Sequence, residues 1–566
     1  MHGAVNRSDV QRYSVAAVAL LTAAAIFGGS ENSTIQFADI TQASHLQFDT
    51  RNSPTPNKNQ IETMVAGVAL LDYDQDGYLD VFLVNGAEIP SLVKTTPTYW
   101  NRLFHNNRDG TFTDVTEKAG VKGYGYGMGV AVGDYDNDGY PDIFVANVTG
   151  NQLLHNNRDG TFTDVTRSAN LEGEQYKGQK MWSTAGGWFD YNNDGLLDLF
   201  VVNYCVWAVS QDPYCSSPGG SRSYCHPRFY EPLHSTLYRN DGGGHFTNVS
   251  EETGIAKNFG RGMSVSFADF DGDGYVDAFV ANDASPNFLF HNLGGKHFEE
   301  IGVQAGVAYN GDGNALSGMG SDFRDVNNDG RPDIWHTAVE RETFPLYLNM
   351  GNTFFTATAP SGLGRYTIKM SGWGNGIVDF DNDGWKDLFV ARSNVLDNVA
   401  EANDGRSYPE PNSIFRNLGN GKFDDVSKLA GAALQQEAPH RGVAFGDLDN
   451  DGRMDAVVTV LGGPTKILRN ISSNQNHWLL LQLVGTRSNR EGLGARVRLV
   501  DDAGRTQWNH ATTSVGYASS SDSRVHFGLG NSSTVREIEV RWPSGIRQTL
   551  HPAGVDRILV VKEPAR

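Results

Sequence analysis

The chain has 566 residues, a formal net charge of −20, 65 glycines and 11% aromatic residues. That length exceeds an ordinary single domain unless the chain repeats itself. An acidic excess of this size offers no basic stripe and so excludes nucleic acid as a partner. Beyond the N-terminus no stretch is apolar enough to cross a bilayer.

Arg7 and Arg12 precede an apolar run over residues 13–27, with Ala23, Ala24 and Ala25 near its end. Residues 1–30 are therefore expected to be a secretory signal peptide, with an uncleaved N-terminal anchor as the alternative. The run is shorter than the ~20 residues a spanning helix needs. The expected location is secreted, periplasmic or at the cell surface. Phe37-Ala38-Asp39-Ile40-Thr41 follows as a short strand whose role depends on what comes after it.

From Asp72 onward the chain writes D-x-D-x-D-G-x-x-D seven times, with two Asn replacements. The acids and amides are Asp72, Asp74, Asp76 and Asp80; Asp134, Asp136, Asp138 and Asp142; Asp190, Asn192, Asp194 and Asp198; and Asp269, Asp271, Asp273 and Asp277. The remaining copies are Asp325, Asn327, Asp329 and Asp333; Asp379, Asp381, Asp383 and Asp387; and Asp447, Asp449, Asp451 and Asp455. Acids at the first, third and fifth positions of a tight loop turn their oxygens toward one point, and the sixth-position Gly supplies the positive φ that doubles the chain back. A hard cation with six to eight oxygen ligands suits such a loop, Ca²⁺ better than Mg²⁺. Up to seven Ca²⁺ sites are expected, with the ninth-position Asp completing each shell. Asn192 and Asn327 keep an oxygen but lose a charge, so those two sites are expected to bind more weakly. Seven Ca²⁺ would bring the formal charge to about −6, which makes the acidity largely a metal signature.

An EF-hand needs an acidic twelfth position between two helices. Here the twelfth positions are Leu83, Val145, Val201, Val280, His336, Val390 and Val458, most of them inside β-branched runs that read as strands. The loops therefore join strand to strand. Each is followed by a second signature, as in Leu103-Phe104-His105-Asn106-Asn107-Arg108-Asp109-Gly110-Thr111-Phe112, where Asn-x-x-Gly marks a hairpin. One repeat thus holds about four strands, and the first Asp recurs at spacings of 62, 56, 79, 56, 54 and 68 residues. Four-stranded sheets repeated radially make a β-propeller, here with seven blades. The seventh repeat lacks its Phe-x-Asp-Val-Thr strand after Asn470, and residues 37–41 match the missing piece. The N-terminal strand is expected to close the ring and remove two exposed edges.

The 79-residue spacing reflects an insertion over residues 206–233, rich in Pro, Ser, Gly and Tyr. All three cysteines, Cys205, Cys215 and Cys225, lie in or beside it. In an exported protein the preferred pair is Cys215–Cys225, leaving Cys205 as a buried thiol, with Cys205–Cys215 as the alternative. From about residue 476 the acidic motif stops, and strands near 478–484, 495–500, 524–527 and 537–541 imply a small separate β domain. The expected division is residues 1–30 signal or anchor, 33–475 propeller and 476–562 tail domain, an all-β chain throughout.

Asn489-Arg490, Gly492-Leu493-Gly494-Ala495, Arg524-Val525-His526-Phe527-Gly528 and Trp542-Pro543-Ser544-Gly545 stand out in the tail. With the seven acidic loops they make the chain similar to a bacterial-type member of the cartilage-acidic-protein family. The loops resemble FG-GAP (VCBS) repeats, as in integrin α-subunit heads, and the tail resembles an ASPIC/UnbV domain. The resemblance implies calcium binding and a propeller fold. It carries over no catalytic activity, and with no cysteine-dense EGF-like segment after the tail it implies no matrix role.

For a ligand, the segments entering the innermost strands supply Tyr126, Lys180, Trp182, Arg261, Lys369, Trp373 and Arg441 as candidates for one mouth of the channel. No Gly-x-Ser-x-Gly stands in a strand-to-helix setting, and the fifteen histidines form no metalloprotease motif. His105, His155 and His291 occupy one equivalent place in three repeats, which repeat packing explains. The expected function is calcium-dependent adhesion or recognition of a glycan or an extracellular protein, without catalysis. The alternative is a Ca²⁺-dependent polysaccharide lyase or hydrolase that uses the four cations to neutralise a uronate.

Overall fold

Each repeat alternates β-branched and aromatic runs with Asp-Gly and Asn-x-x-Gly turns, and the backbone follows that punctuation. The computed structural model describes residues 35–217 and 219–565, and the expected signal or anchor lies outside them. In the second repeat Gly127–Gly133, Asp142–Asn147, Gln152–Asn156 and Phe162–Asp164 pair in sequence order as an antiparallel four-stranded sheet. The first two strands are buried along their whole length, as continuous apolar runs should be, whereas the outermost strand exposes two of its three residues.

Six sheets of this kind follow one another along the chain. The seventh takes three strands from residues 440–470 and its fourth from the far end: Phe37–Asp39 pairs antiparallel with Lys466–Asn470. The first strands pack side by side in a closed cycle, from Val68–Leu71 through Gly127–Gly133, Ser183–Phe189, Gly262–Ala268, Ser321–Arg324 and Gly372–Val378 to His440–Gly446 and back to Val68–Leu71. The molecule is a β-propeller. Apolar side chains fill the wedges between sheets, as where Phe189 and Phe267 stack with centroids 4.4 Å apart.

The loop between first and second strands emerges at one end of the channel, and the loop between second and third strands emerges at the other. The acidic loops therefore share one end. The tail lies against it as two sheets, one of Val525–Gly530, His477–Val484 and Arg557–Lys562, the other of Thr506–His510, Arg496–Asp501, Val535–Arg541 and Arg547–Leu550. Its apolar interior is continuous with the propeller's, since Trp188 and Leu197 cluster with Leu493, Leu481 and Phe527.

Candidate functional site

Every acidic loop is folded by the same backbone hydrogen bonds. The sixth-position Gly sits at φ between +86° and +95°, and its N–H donates to the first Asp, at 2.9 Å for Gly77 to Asp72 and 2.7 Å for Gly139 to Asp134. The seventh residue donates to the fifth acid, as Tyr78 does to Asp76 at 2.9 Å. The ninth Asp is buried in all seven loops and accepts two N–H bonds. For Asp80 these come from Tyr73 at 3.3 Å and Asn106 at 2.7 Å. One carboxylate thus pins the loop to the third strand of its own sheet.

Burial has an electrostatic consequence. Desolvation pushes Asp72 and Asp142 up to about 6, Asp80 and Asp190 to about 7, and Asp134 to about 8. Glu491 of the tail adds to the effect at Asp134. Asp198, Asp277, Asp333, Asp387 and Asp455 are raised well above the ordinary carboxylate range, again mainly by burial. Such groups hold protons unless a positive charge stands among them. The oxygens of Asp72, Asp74 and Asp76 lie within 4.8 Å of one another, as do those of Asp134, Asp136 and Asp138. Asp74 Oδ1 and Asp449 Oδ1, both on third-position acids, are buried and accept no hydrogen bond among the described residues. An oxygen-rich cluster with orphaned acceptors fits a hard divalent cation.

The histidines do more than pack. His105 Nδ1 lies 3.3 Å from Asp80 and 3.4 Å from Asp74, His155 Nδ1 lies 3.1 Å from Asp142, and His291 Nε2 lies 3.0 Å from Asp271. The equivalent position carries Arg416 in the sixth repeat, which reaches Asp381 at 2.8 Å and Asp383 at 2.9 Å. In the seventh, Arg469 pairs with Asp449. A built-in guanidinium offsets part of the negative charge of those two loops, a difference among copies that the third-position Asn residues did not reveal.

Two residue classes that join the repeats escaped the sequence reading. The Asn that ends each third strand donates through Nδ2 to the preceding sheet: Asn156 to Tyr73 O at 2.9 Å, Asn240 to Tyr135 O at 2.8 Å, and so on around to Asn106, which reaches Leu448 O at 2.9 Å. The fourth loop position, in the left-handed region, donates to the sixth-position Gly carbonyl of the next loop, as Asn137 does to Gly195 O at 2.8 Å and Asn450 to Gly77 O at 2.9 Å. Gly272 has no side chain to do this. There the tail's Arg496 donates to Gly330 O at 2.7 Å and approaches Asp269 Oδ2 at 3.4 Å, closing the gap. The signal for the first class was an Asn in every repeat, hidden within a turn signature.

The channel holds no open mouth at the expected place. Residues 511–523 of the tail enter it and bond to inner strands of several sheets, with Leu70 N–H to Ser520 O at 3.0 Å, Val130 N–H to Ala518 O at 3.1 Å and Gly516 N–H to Ser321 O at 2.9 Å. Tyr517, fully buried, reaches Met64 O at 2.8 Å and packs on Trp373. Tyr126, Trp182, Trp373 and Arg441 are consequently core residues, each no more than 1% exposed. The four cations do not converge. Lys180 donates to Glu172 O and Gly173 O, Arg261 to Tyr230 O, and Arg441 to Thr63 O while stacking over Trp373 at 4.0 Å; Lys369 is exposed. The expected ligand mouth is corrected accordingly: the tail's loop fills it. Residues 206–217 and 219–233 arch across this same end of the channel, away from the acidic loops, where Tyr224 donates to Glu62 Oε2 at 3.2 Å and Ser217 to Glu401 Oε2 at 2.8 Å. A Cys215–Cys225 disulfide ties this arch, and Cys205 is a buried free thiol.

The FG-GAP-like repeat family model matches residues 72–145, 134–201, 230–280, 269–336, 325–390 and 379–458. The chain belongs to the FG-GAP-like repeat family. In this FG-GAP chain the tail also matches the ASPIC and UnbV model, over residues 485–566. Cartilage acidic protein 1 of Mus musculus is 26% identical over 545 residues, which cover 92% of this chain and 75% of that protein. The Homo sapiens protein is 25% identical over 537 residues, covering 91% and 73%. A solved lectin of Agrocybe aegerita is 15% identical, with a TM-score of 0.41 over 77% of this chain and 97% of its own. Among the described residues no helix is long and apolar enough to cross a membrane.

Proposed function

We propose that this FG-GAP chain is an exported calcium-binding recognition or adhesion protein that carries out no catalysis of its own. On this reading residues 33–475 form a seven-bladed propeller closed by its N-terminal strand, and residues 476–562 form the ASPIC/UnbV-like unit. The loop residues from Asp72 to Asp455 hold up to seven Ca²⁺ ions. The observation that carries the reading is the orphaned, buried Oδ1 of Asp74 and of Asp449 amid carboxylates that burial raises. A bound cation supplies the charge that ring of acids lacks, and the chain's own residues do the rest. Backbone N–H groups aim the acids, and the ninth Asp ties each loop to its sheet. The disulfide of the arch supports an oxidising location outside the cytoplasm.

The ligand is a glycan or an extracellular protein. A lyase reading needs cations gathered at one mouth, and Lys180, Arg261, Lys369 and Arg441 are dispersed. The test is isothermal titration of the metal-stripped chain with Ca²⁺, beside melting curves in Ca²⁺ and in EDTA. Each filled site adds RT ln(1 + [L]/Kd), so chelation should lower the melting temperature by at least about 10 °C. An unchanged melt with no heat of Ca²⁺ binding would falsify the metal reading.

A further inference from the structure

The arch over residues 206–233 is more than a cover. Between it and the connection after Asp387–Arg392 lies a groove of about 450 Å³, a size suited to a small ligand and lined by Tyr214, His226, Arg228, Phe229, Glu401 and Arg406 among others. Tyr214 is 74% exposed and Phe229 55% exposed, values far from the ordinary fate of large aromatic rings. Each has one face covered by a guanidinium, Arg222 at 4.5 Å and Arg228 at 5.0 Å, which holds the ring in place and leaves the other face to solvent.

The polar groups around them are unequal. Arg406 is satisfied by Glu340 and Asp404. Arg228 has no ion pair and no side-chain hydrogen bond among the described residues, although its own N–H donates to His226 Nδ1 at 3.2 Å. That bond leaves Nε2 as the donating nitrogen of His226. Glu401 accepts from Ser217 and Ser221 and keeps acceptor capacity toward the groove. Flat aromatic faces beside a free guanidinium, an imidazole donor and a carboxylate acceptor match the face and edge of a pyranose that carries an acid group. A protein partner would need roughly 800 Å² of contact per side, and here two isolated rings stand among polar groups.

We propose that this groove binds a saccharide bearing a carboxylate, with its ring stacked on Tyr214 and its acid at Arg228, whose guanidinium Phe229 backs. The proposal rests on the recognition reading above and gives that reading its site. The test uses the full chain in Ca²⁺ on an array of uronate-containing oligosaccharides with neutral oligosaccharides of equal length as controls, followed by calorimetry on the strongest binder. Tyr214→Ala and Phe229→Ala should each weaken binding about tenfold at unchanged melting temperature. Arg228→Gln should abolish the preference for the uronate over its neutral counterpart, and Lys369→Ala, at the sealed mouth, should bind like wild type. Binding that survives the three groove substitutions within about twofold overturns the groove while leaving the recognition reading in place. A wild-type chain that binds no saccharide on the array overturns the saccharide itself, and capture of a protein ligand by all four variants alike would then keep recognition and discard this site.

Discussion

At the scale of single residues, the same residue type does different work at neighbouring positions of one loop. The ninth acids, and every first acid except the half-buried Asp72, are buried, and all are aimed by backbone N–H groups, whereas the third acids of the first and seventh loops present an oxygen that no group among the described residues satisfies. The Asn closing each third strand is as important to the ring as the acids, because it joins one sheet to the next. Asn470 donates Nδ2 to Phe380 O at 2.8 Å and to Met454 O at 3.2 Å. Asn470→Ala leaves two buried carbonyls without donors, and a destabilisation of about 2–4 kcal/mol is expected in urea denaturation. A change below about 0.5 kcal/mol would mean that water replaces the amide and that the link is dispensable.

At the scale of elements, the N-terminal strand decides whether the seventh sheet has an open edge. Ile35 and Phe37 are at most 2% exposed, and Phe37 packs edge-on against Phe380 at 5.4 Å, so this strand also contributes to the wedge between the sixth and seventh sheets. Removing residues 35–41 bares the backbone of Lys466–Asn470. The expected outcome is a melting temperature lower by at least about 5 °C and concentration-dependent association through the freed edge, seen by light scattering. A truncated chain that stays monomeric with an unaltered melt would show that the strand is only an appendage. The arch over residues 206–233 is the other element out of step with the repeats, and its contacts with Glu62, Asn398 and Glu401 make it a crosspiece between distant sheets.

At the scale of the whole molecule, propeller and tail form one body. Residues 511–523 satisfy inner-strand N–H and C=O groups that a hollow channel would leave to water, and Arg496 and Lys386 bond across the same boundary. Tyr517 is the deepest part of this insertion. Tyr517→Ala removes a fully buried ring from among Trp373, Met64 and Tyr126. The expected loss is about 3–5 kcal/mol, measured as one cooperative unfolding transition shifted to lower denaturant. If the variant instead melts in two separate transitions, the ring is what couples tail to propeller. If it melts like wild type, the plug contributes no stability.

The repeat period, the all-β character, the strand-to-strand setting of the acidic loops and the likeness of residues 37–41 to a missing outer strand were all legible in the chain, because each rests on local spacing that a repeat prints several times. The acids themselves were legible for the same reason. What surrounds them was not. The Asn links read as turn residues because their acceptors lie about ninety residues away or across the ring closure, as with Asn470 and Phe380 or Asn106 and Leu448. The mouth was misplaced because residues 511–523 carry no motif. Only when the tail folds against the propeller does Tyr517 meet Trp373, burying Tyr126, Trp182 and Arg441 with it. Short-range pattern determines which strands and loops form, since turn chemistry and alternation act over a few residues. Which surfaces remain open to a ligand is decided by contacts between segments hundreds of residues apart, and those exist only in the packed molecule.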